Sequence, residues 1–468
     1  LTADPDSRVS WSRGAFTDEG LYLSQIRNHI NGYEFDLKES DCFLKSPLFS
    51  VCYYPWLKIF GAGLWKARLF AILITTIFLS WLLFRFFHFG ILVFSLFFTQ
   101  YHFFHYAHYA QAEVLQLICL ISSMLFFTEV FNEVCTFKER RRSLQFSCLL
   151  AGISFLFKLN TLYFITVIPL TLFLLNLFKT SLSRKLMLNL LGYSILFSAI
   201  VPVIWLVSWY FPNKNFFEIF QTTVTESESA FKTGFANFHE KFSLNKKIIL
   251  EDVFAGSYFS VFYISLFLLG LRMVSAIVLK HKLHYLPQTL FSLCWIIIEL
   301  HKFGYHYLPS RYFLSTIAAV CCFGAWQVIG LTQLNIRSNW LFIPLIVFLM
   351  VFNGNEIFAS YQSRRYAIQR INNYLGQYDF KGKTLLGTWS PSLSWQSKAR
   401  TIPLWKEYFY HQNPLQKFRP SVVITEENEA ESDSAFIKSH IDLSAISDSS
   451  KTFRVNFWRI NVHWLSKK

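Results

Sequence analysis

The chain has 468 residues, 53% of them hydrophobic, with 53 Phe, 22 Tyr and 14 Trp against 44 basic and 29 acidic side chains. That much apolar mass exceeds what a single water-soluble core holds, and a chain so rich in aromatics is not disordered. The net charge of +15 sits largely in short clusters between apolar runs, which is a membrane-topology signal and argues against a nucleic-acid partner.

The sequence starts at Leu1 with a polar stretch, and a first membrane span or a removed signal is expected to precede it. Residues 1–67 are mixed in character, with Gly20, Gly32 and Pro47 among charges. Leu21, Gln25 and Asn28 continue with helical spacing after Thr17 and Asp18, either of which suits an N-cap. Cys42 and Cys52 share this segment, and a disulfide and a pair of free thiols both remain open.

From Arg68 to Gly354 one apolar stretch of bilayer-crossing length follows another. Ten spans are expected, at 68–87, 88–107, 112–132, 143–158, 162–178, 186–211, 257–279, 285–300, 312–331 and 339–354. With residues 1–67 outside, the basic linkers all fall on the cytoplasmic side: Phe137–Arg142, Lys179 with Arg184 and Lys185, Lys280 with Lys282, and Arg337. The opposite linkers hold Gln111–Glu113, Lys158–Asn160, the 212–256 loop with Glu226 and Glu228, and residues 301–311. Ten spans return residue 355 onward to the outside. There, strands at Lys383–Thr388, Ser421–Thr425 and Val455–Val462 and a helical run near Ser363–Leu375 predict a small soluble α/β domain. The domain plan is thus a first outer loop (1–67), a helical membrane domain (68–354) and an outer soluble domain (355–468).

Between Arg68 and Phe211 the only acidic residues are Glu113, Glu129, Glu133 and Glu139. The last three flank the basic turn. Glu113 opens a helix in Ala112-Glu-Val-Leu-Gln116, where a carboxylate is costly and tends to be functional. The plain alternative is a carboxylate favoured by the helix dipole. His102, His105 and His108 lie among Tyr101, Tyr106 and Tyr109 and read as part of an aromatic belt rather than a metal site. There is no Walker-type phosphate loop, so ATP-driven transport is not expected.

The order of the pieces carries further meaning. Phe16-Thr-Asp-Glu-Gly-Leu-Tyr22 is followed by Phe43-Leu-Lys-Ser-Pro-Leu48, Tyr53-Tyr-Pro-Trp56, Phe60-Gly61 and Arg68-Leu69. This run resembles the first outer loop and second helix of the bacterial protein-mannosyltransferase-like and aminoarabinose-transferase-like enzymes, which are GT-C glycosyltransferases. The resemblance continues at Tyr109-Ala-Gln-Ala-Glu-Val114, Gly152-Ile-Ser-Phe-Leu-Phe-Lys158 and Tyr307-Leu-Pro-Ser-Arg-Tyr312, and covers about residues 14–330.

The resemblance implies a polytopic α-helical membrane protein with a GT-C type bundle, a helical first periplasmic loop and a small C-terminal soluble α/β domain. It further implies a bacterial inner-membrane enzyme that moves a sugar from a polyprenyl-phosphate donor, by inversion, to lipid A, an envelope glycan or a protein. A glycosyl phosphate already carries a good leaving group, so such a site needs a carboxylate for the acceptor and cations for the departing phosphate. Asp18 matches the family's catalytic aspartate and Glu113 its second acidic position. Lys45 and Arg311 match cations that would grip the lipid phosphate, with interfacial anchoring as their plain alternative. Glu19 and Lys158 are supporting candidates. Leu44 stands where aminoarabinose-type enzymes often place a Glu, and Ser46 replaces the first Pro of a usual Lys-Pro-Pro. The first departure removes a carboxylate that would hold a divalent metal, so no metal ligand is assigned. A polyprenyl-lipid or sugar transporter is the alternative reading, against which stands the lack of an internal repeat.

Overall fold

The structure, a computed structural model, describes residues 1–9, 12–178, 182–218, 242–243, 257–278, 285–305, 309–332, 339–404, 413–428, 436 and 440–465. The expected linker residues Lys179, Glu226, Glu228, Lys280, Lys282 and Arg337, with Tyr307 and Leu308, lie outside the described residues.

The first segment folds as three helices, α1 (Gly14–Ile30), α2 (Asp41–Lys45) and α3 (Pro47–Phe60). The helical bundle follows: α4 (Leu64–Arg85), α5 (Phe87–Val93), α6 (Tyr101–Ala107), α7 (Ala112–Glu129), α8 (Phe137–Phe157), α9 (Val167–Leu177) and α10 (Arg184–Trp205). It continues with α11 (Ser257–Val278), α12 (Leu286–Glu299), α13 (Leu314–Thr332) and α14 (Asn339–Gln362). Each of the ten expected spans is therefore helical. Among the described residues, five helices are long and apolar enough to cross a membrane, and a bent pair makes up to six. The bent pair is Phe87–Phe98 with Tyr101–Ala107, broken by 89° where a single span is expected. Helix α8 is long enough but carries Lys138, Glu139 and Arg140–Arg142 in its first two turns, and α12 has only 14 residues. The bundle exposes Ile77, Phe84, Ile195, Val207 and Phe267 along its sides, as a lipid solvent requires. The chain is a multi-pass membrane protein.

Helix α1 departs from the sequence expectation at its start. It begins at Gly14, so neither Thr17 nor Asp18 caps it. Although rich in polar residues, it is buried nearly all round: Thr17, Glu19, Ser24, Gln25, Arg27 and Asn28 are all shielded from solvent. Such burial is tolerable only when each polar group finds a tertiary partner. Cys42 and Cys52 are free thiols.

The C-terminal part is a five-stranded sheet in the order β2-β1-β3-β5-β4, preceded by α15 (Ala367–Gly376). Strands β1 (Thr384–Leu386), β2 (Arg400–Ile402) and β3 (Val422–Glu426) are parallel, while β4 (Ser447–Val455) and β5 (Trp458–Leu465) form an antiparallel hairpin. A short helix, α16 (Ser390–Leu393), follows β1. One sheet face, with Leu385, Val422, Ile424, Ile460 and Val462, joins the main core of the protein. The other, with Leu386, Ile402 and Val423, forms a separate small core. The expected strand Val455–Val462 is corrected: it spans the end of β4, a two-residue turn at Asn456 and Phe457, and half of β5. That turn carries no Gly or Pro to announce it. Strand β2 has three residues, and β4 is a mostly exposed edge strand, so neither shows the apolar alternation that betrays a strand.

Candidate active site

Four segments distant in sequence meet at one end of the bundle. Asp18 stands in the second turn of α1, Glu113 in the first turn of α7, Lys158 at the C-cap of α8, and Arg311 in a short 3-10 turn, Ser310–Phe313, that leads into α13. The α7–α8 register is set halfway down, where Ser123 and Ser147 each donate a hydroxyl to the other's carbonyl at 2.8 Å. Small hydroxyl residues bring two membrane helices close in this way. In an antiparallel pair pinned there, Glu113 falls opposite Lys158.

Arg311 bridges the two carboxylates. Its Nη2 lies 2.7 Å from Asp18 Oδ2 and its Nε 3.3 Å from Glu113 Oε1. Lys158 Nζ pairs with the same Glu113 oxygen and sits 3.9 Å above the Tyr312 ring, a favourable place for a desolvated ammonium. Two carboxylates and two cations balance in charge, as a buried cluster must. Asp18 is the most accessible of the four, its side chain 15% exposed against 5–8% for the others. Burial, reinforced by Glu113 and Asp41 and opposed by Arg311 and Lys158, pushes the Asp18 carboxyl up to about 6. Glu113 Oε2 is buried without a hydrogen-bond partner among the described residues. It borders a small polar cavity lined also by Gln116, Lys158, Lys302, Arg311 and Ser315.

The turn carrying Arg311 is held from several sides. His102 Nε2 meets the Ser310 carbonyl at 2.9 Å, and the Tyr106 hydroxyl meets Ser310 Oγ at 2.7 Å. Ser310 Oγ donates to the Val9 carbonyl at 2.6 Å. Where an aromatic belt at the membrane boundary is expected, His102, His105, Tyr101, Tyr106 and Tyr109 are instead buried within the protein, and His102 and Tyr106 brace the Arg311 turn.

Of the other sequence candidates, Glu19 is set apart from Asp18. It accepts both Nε (3.0 Å) and Nη2 (2.6 Å) of buried Arg68, and the Ala110 backbone N–H at 2.8 Å. Arg68 also donates to the carbonyls of Leu1 and Ala3 and lies over the Tyr109 ring. Glu19 therefore ties α1 to α4 and to the segment before α7. Lys45 pairs with Asp41 one turn back on α2, and its side chain remains 38% exposed. Asp41 is in turn close enough to bear on Asp18.

Sequence reasoning passed over Glu299 and Lys302. They pair at 2.5 Å, and Lys302 donates to the Tyr312 carbonyl and to Ser315 Oγ. Ser315 and Thr316 donate to Glu299 Oε2 at 2.8 and 3.0 Å. The signal that singled out Glu113, an acidic residue at the end of an apolar run, was present at Glu299 as well. A larger cavity of about 550 Å³ opens on another side of α1, beside Phe16, and none of the six expected site residues lines it.

No protein-family model matches the sequence, and no curated protein does. Solved structures match in fold. ArnT from Cupriavidus metallidurans bound to undecaprenyl phosphate is similar at 14% identity and a TM-score of 0.59, over 96% of this chain and 94% of that one. Its apo state gives 13% and 0.57, over 95% and 92%. The archaeal oligosaccharyltransferase AglB from Archaeoglobus fulgidus, in complex with an inhibitory peptide and a dolichol-phosphate, gives 11% and 0.50, over 88% of this chain and 65% of that one. At such identities the likeness is one of architecture: the chain has the GT-C type fold that the sequence resemblance implied.

Proposed function

We propose that this membrane protein of GT-C fold is a glycosyltransferase that takes a sugar from a polyprenyl-phosphate donor at the periplasmic face of a bacterial inner membrane. The observation that carries the reading is the convergence of Asp18, Arg311, Glu113 and Lys158 at one end of the bundle. Structural neighbours holding undecaprenyl phosphate or dolichol-phosphate support the donor class. The acceptor is a lipid, an envelope glycan or a protein.

In the proposed reaction the acceptor oxygen or nitrogen attacks the anomeric carbon while the bond from that carbon to the phosphate oxygen breaks. The configuration inverts, the polyprenyl phosphate leaves, and Asp18 takes the acceptor's proton. Arg311, with Lys158 beside it, stabilises the charge that develops on the leaving phosphate, and Lys45 at the α2 side helps to bind the donor phosphate before reaction. A phosphate drawn to Arg311 competes with Asp18 for the same guanidinium. Donor binding would thus release the base at the moment it is needed. Glu113 keeps Lys158 and Arg311 oriented and presents its free oxygen toward the acceptor.

The test uses the protein in liposomes with undecaprenyl-phosphate-linked hexoses and pentoses and crude envelope acceptors, following free undecaprenyl phosphate by mass spectrometry. Release that is lost in Asp18→Asn is the expected result. No release from any donor, with lipid binding retained, would favour a transporter.

A further inference from the structure

The helix that carries Asp18 is clamped between the membrane bundle and the soluble C-terminal part. On the bundle side it is held by the Glu19–Arg68 pair. On the other side the contacts are close and specific. At Gly20, a Cβ would stand 2.3 Å from Ser392 Oγ and 2.4 Å from Ser392 N, so α16 packs against bare helix backbone there. Ser392 Oγ donates to the Thr17 carbonyl at 2.6 Å. About two turns further on, separate bonds fasten the remainder. Arg27 Nη1 donates to the Pro391 carbonyl at 2.7 Å. Asn28 exchanges two hydrogen bonds with the Thr401 backbone, at 2.9 and 3.0 Å. Arg400 and Asn28 share the two oxygens of buried Glu39 at 2.7 and 2.8 Å.

Resting on the assignment of Asp18 as base, we propose that Ser392 is a positioning residue: its contact with Thr17 and Gly20 sets the rotation of α1 that keeps Asp18 opposite Arg311. The soluble domain then completes the active site instead of serving only as an appendage. Ser392 touches the two residues that flank Asp18 and Glu19 in the chain. A side-chain tip stands about 6 Å from a helix axis, so a rotation of about 10° carries it roughly 1 Å. A displacement of that size at a reacting group costs up to about a hundredfold in rate. The Arg27, Asn28 and Glu39 bonds are independent of Ser392 and keep the domain attached when its hydroxyl is removed.

The experiment compares the wild type, Gly20→Ala, Ser392→Ala and Asp18→Asn in liposomes with undecaprenyl-phosphate-linked sugars. It records kcat, the donor KM, the pH profile and the melting temperature. Gly20→Ala is expected to lower kcat about tenfold or more, and Ser392→Ala about threefold, with the donor KM unchanged. Moving Asp18 away from Arg311 removes a cation that favours its charged form, so the ascending limb of the profile should also move to higher pH. The proposal is overturned if both variants turn over at the wild-type rate with an unmoved limb while Asp18→Asn is inactive. It is overturned equally if kcat falls only in step with the folded fraction. Full activity in Asp18→Asn would instead bring down the assignment of the base, and this proposal with it. Should Gly20→Ala fail to fold, Ser392→Ala carries the test alone.

Discussion

Gly14 leaves open the space that the Arg311 guanidinium fills: a Cβ there would stand 2.8 Å from Nη2 and 2.9 Å from Nη1. Asp18 lies one helical turn further along the same face, so α1 supplies both the slot for the arginine and the carboxylate that pairs with it at 2.7 Å.

Gly14→Ala should therefore move Arg311 without unfolding the protein, because the clashing atoms belong to the far end of a flexible side chain. Turnover measured by release of undecaprenyl phosphate should fall about tenfold or more, with the melting temperature in detergent close to wild type. Unchanged turnover would mean that the reaction does not depend on where the Arg311 guanidinium is held.

Glu19→Gln should act on stability. It removes the charge partner of Arg68, which is fully buried, and breaking such a pair costs about 3–5 kcal/mol. Thermal unfolding in detergent reads this directly. A near-wild-type midpoint would show that the Leu1 and Ala3 carbonyls and the Tyr109 ring satisfy Arg68 by themselves.

The pH profile should report on Asp18. A base must be ionised to accept a proton, and burial holds this carboxyl up at about 6. The rate should climb as pH rises through about 6 and level off above it. A rate flat from pH 4.5 to 8 would remove Asp18 as the base.

Glu39 should leave its own mark on stability. Burial pushes its carboxyl up to about 7, against the pull of Arg400 and Asn28, with Asp36 adding to the rise. The folded protein then keeps a proton that the unfolded chain gives up near 4.5. This contribution is full at low pH and is lost as pH rises through about 7. The melting-temperature difference between wild type and Glu39→Gln should thus shift against the wild type from pH 5 to pH 8; a constant difference would show that Glu39 stays charged throughout.

Lys45→Ala offers a contrast within the site. The side chain is partly exposed and paired with Asp41, so its loss should raise the donor KM severalfold with little change in kcat. A large fall in kcat instead would place Lys45 at the departing phosphate in the transition state.

Much of this protein was determined by its sequence alone. The apolar runs place the helices, because a bilayer demands a minimum length of apolar chain. Glu113 stands out because a charge beside apolar residues has a cost that can be read from its neighbours in the chain, whereas Asp18, Lys158 and Arg311 were singled out by the family resemblance. What that cost is offset by is not local. The sharing of Arg311 between Asp18 and Glu113, the departure of Glu19 toward Arg68, and the Glu299–Lys302 pair all depend on segments brought together only by packing. Gly20 against Ser392 has no sequence signal at all, since a glycine and a serine are unremarkable until two backbones meet. The short β2 and the solvated edge strand β4 were hidden for a related reason. Their pairing is decided by the neighbouring strand, and their own residues carry little apolar pattern. Which groups must find partners can thus be read from the chain, because desolvation is a property of a residue, but the partners themselves come only with packing, because compensation is a property of the fold.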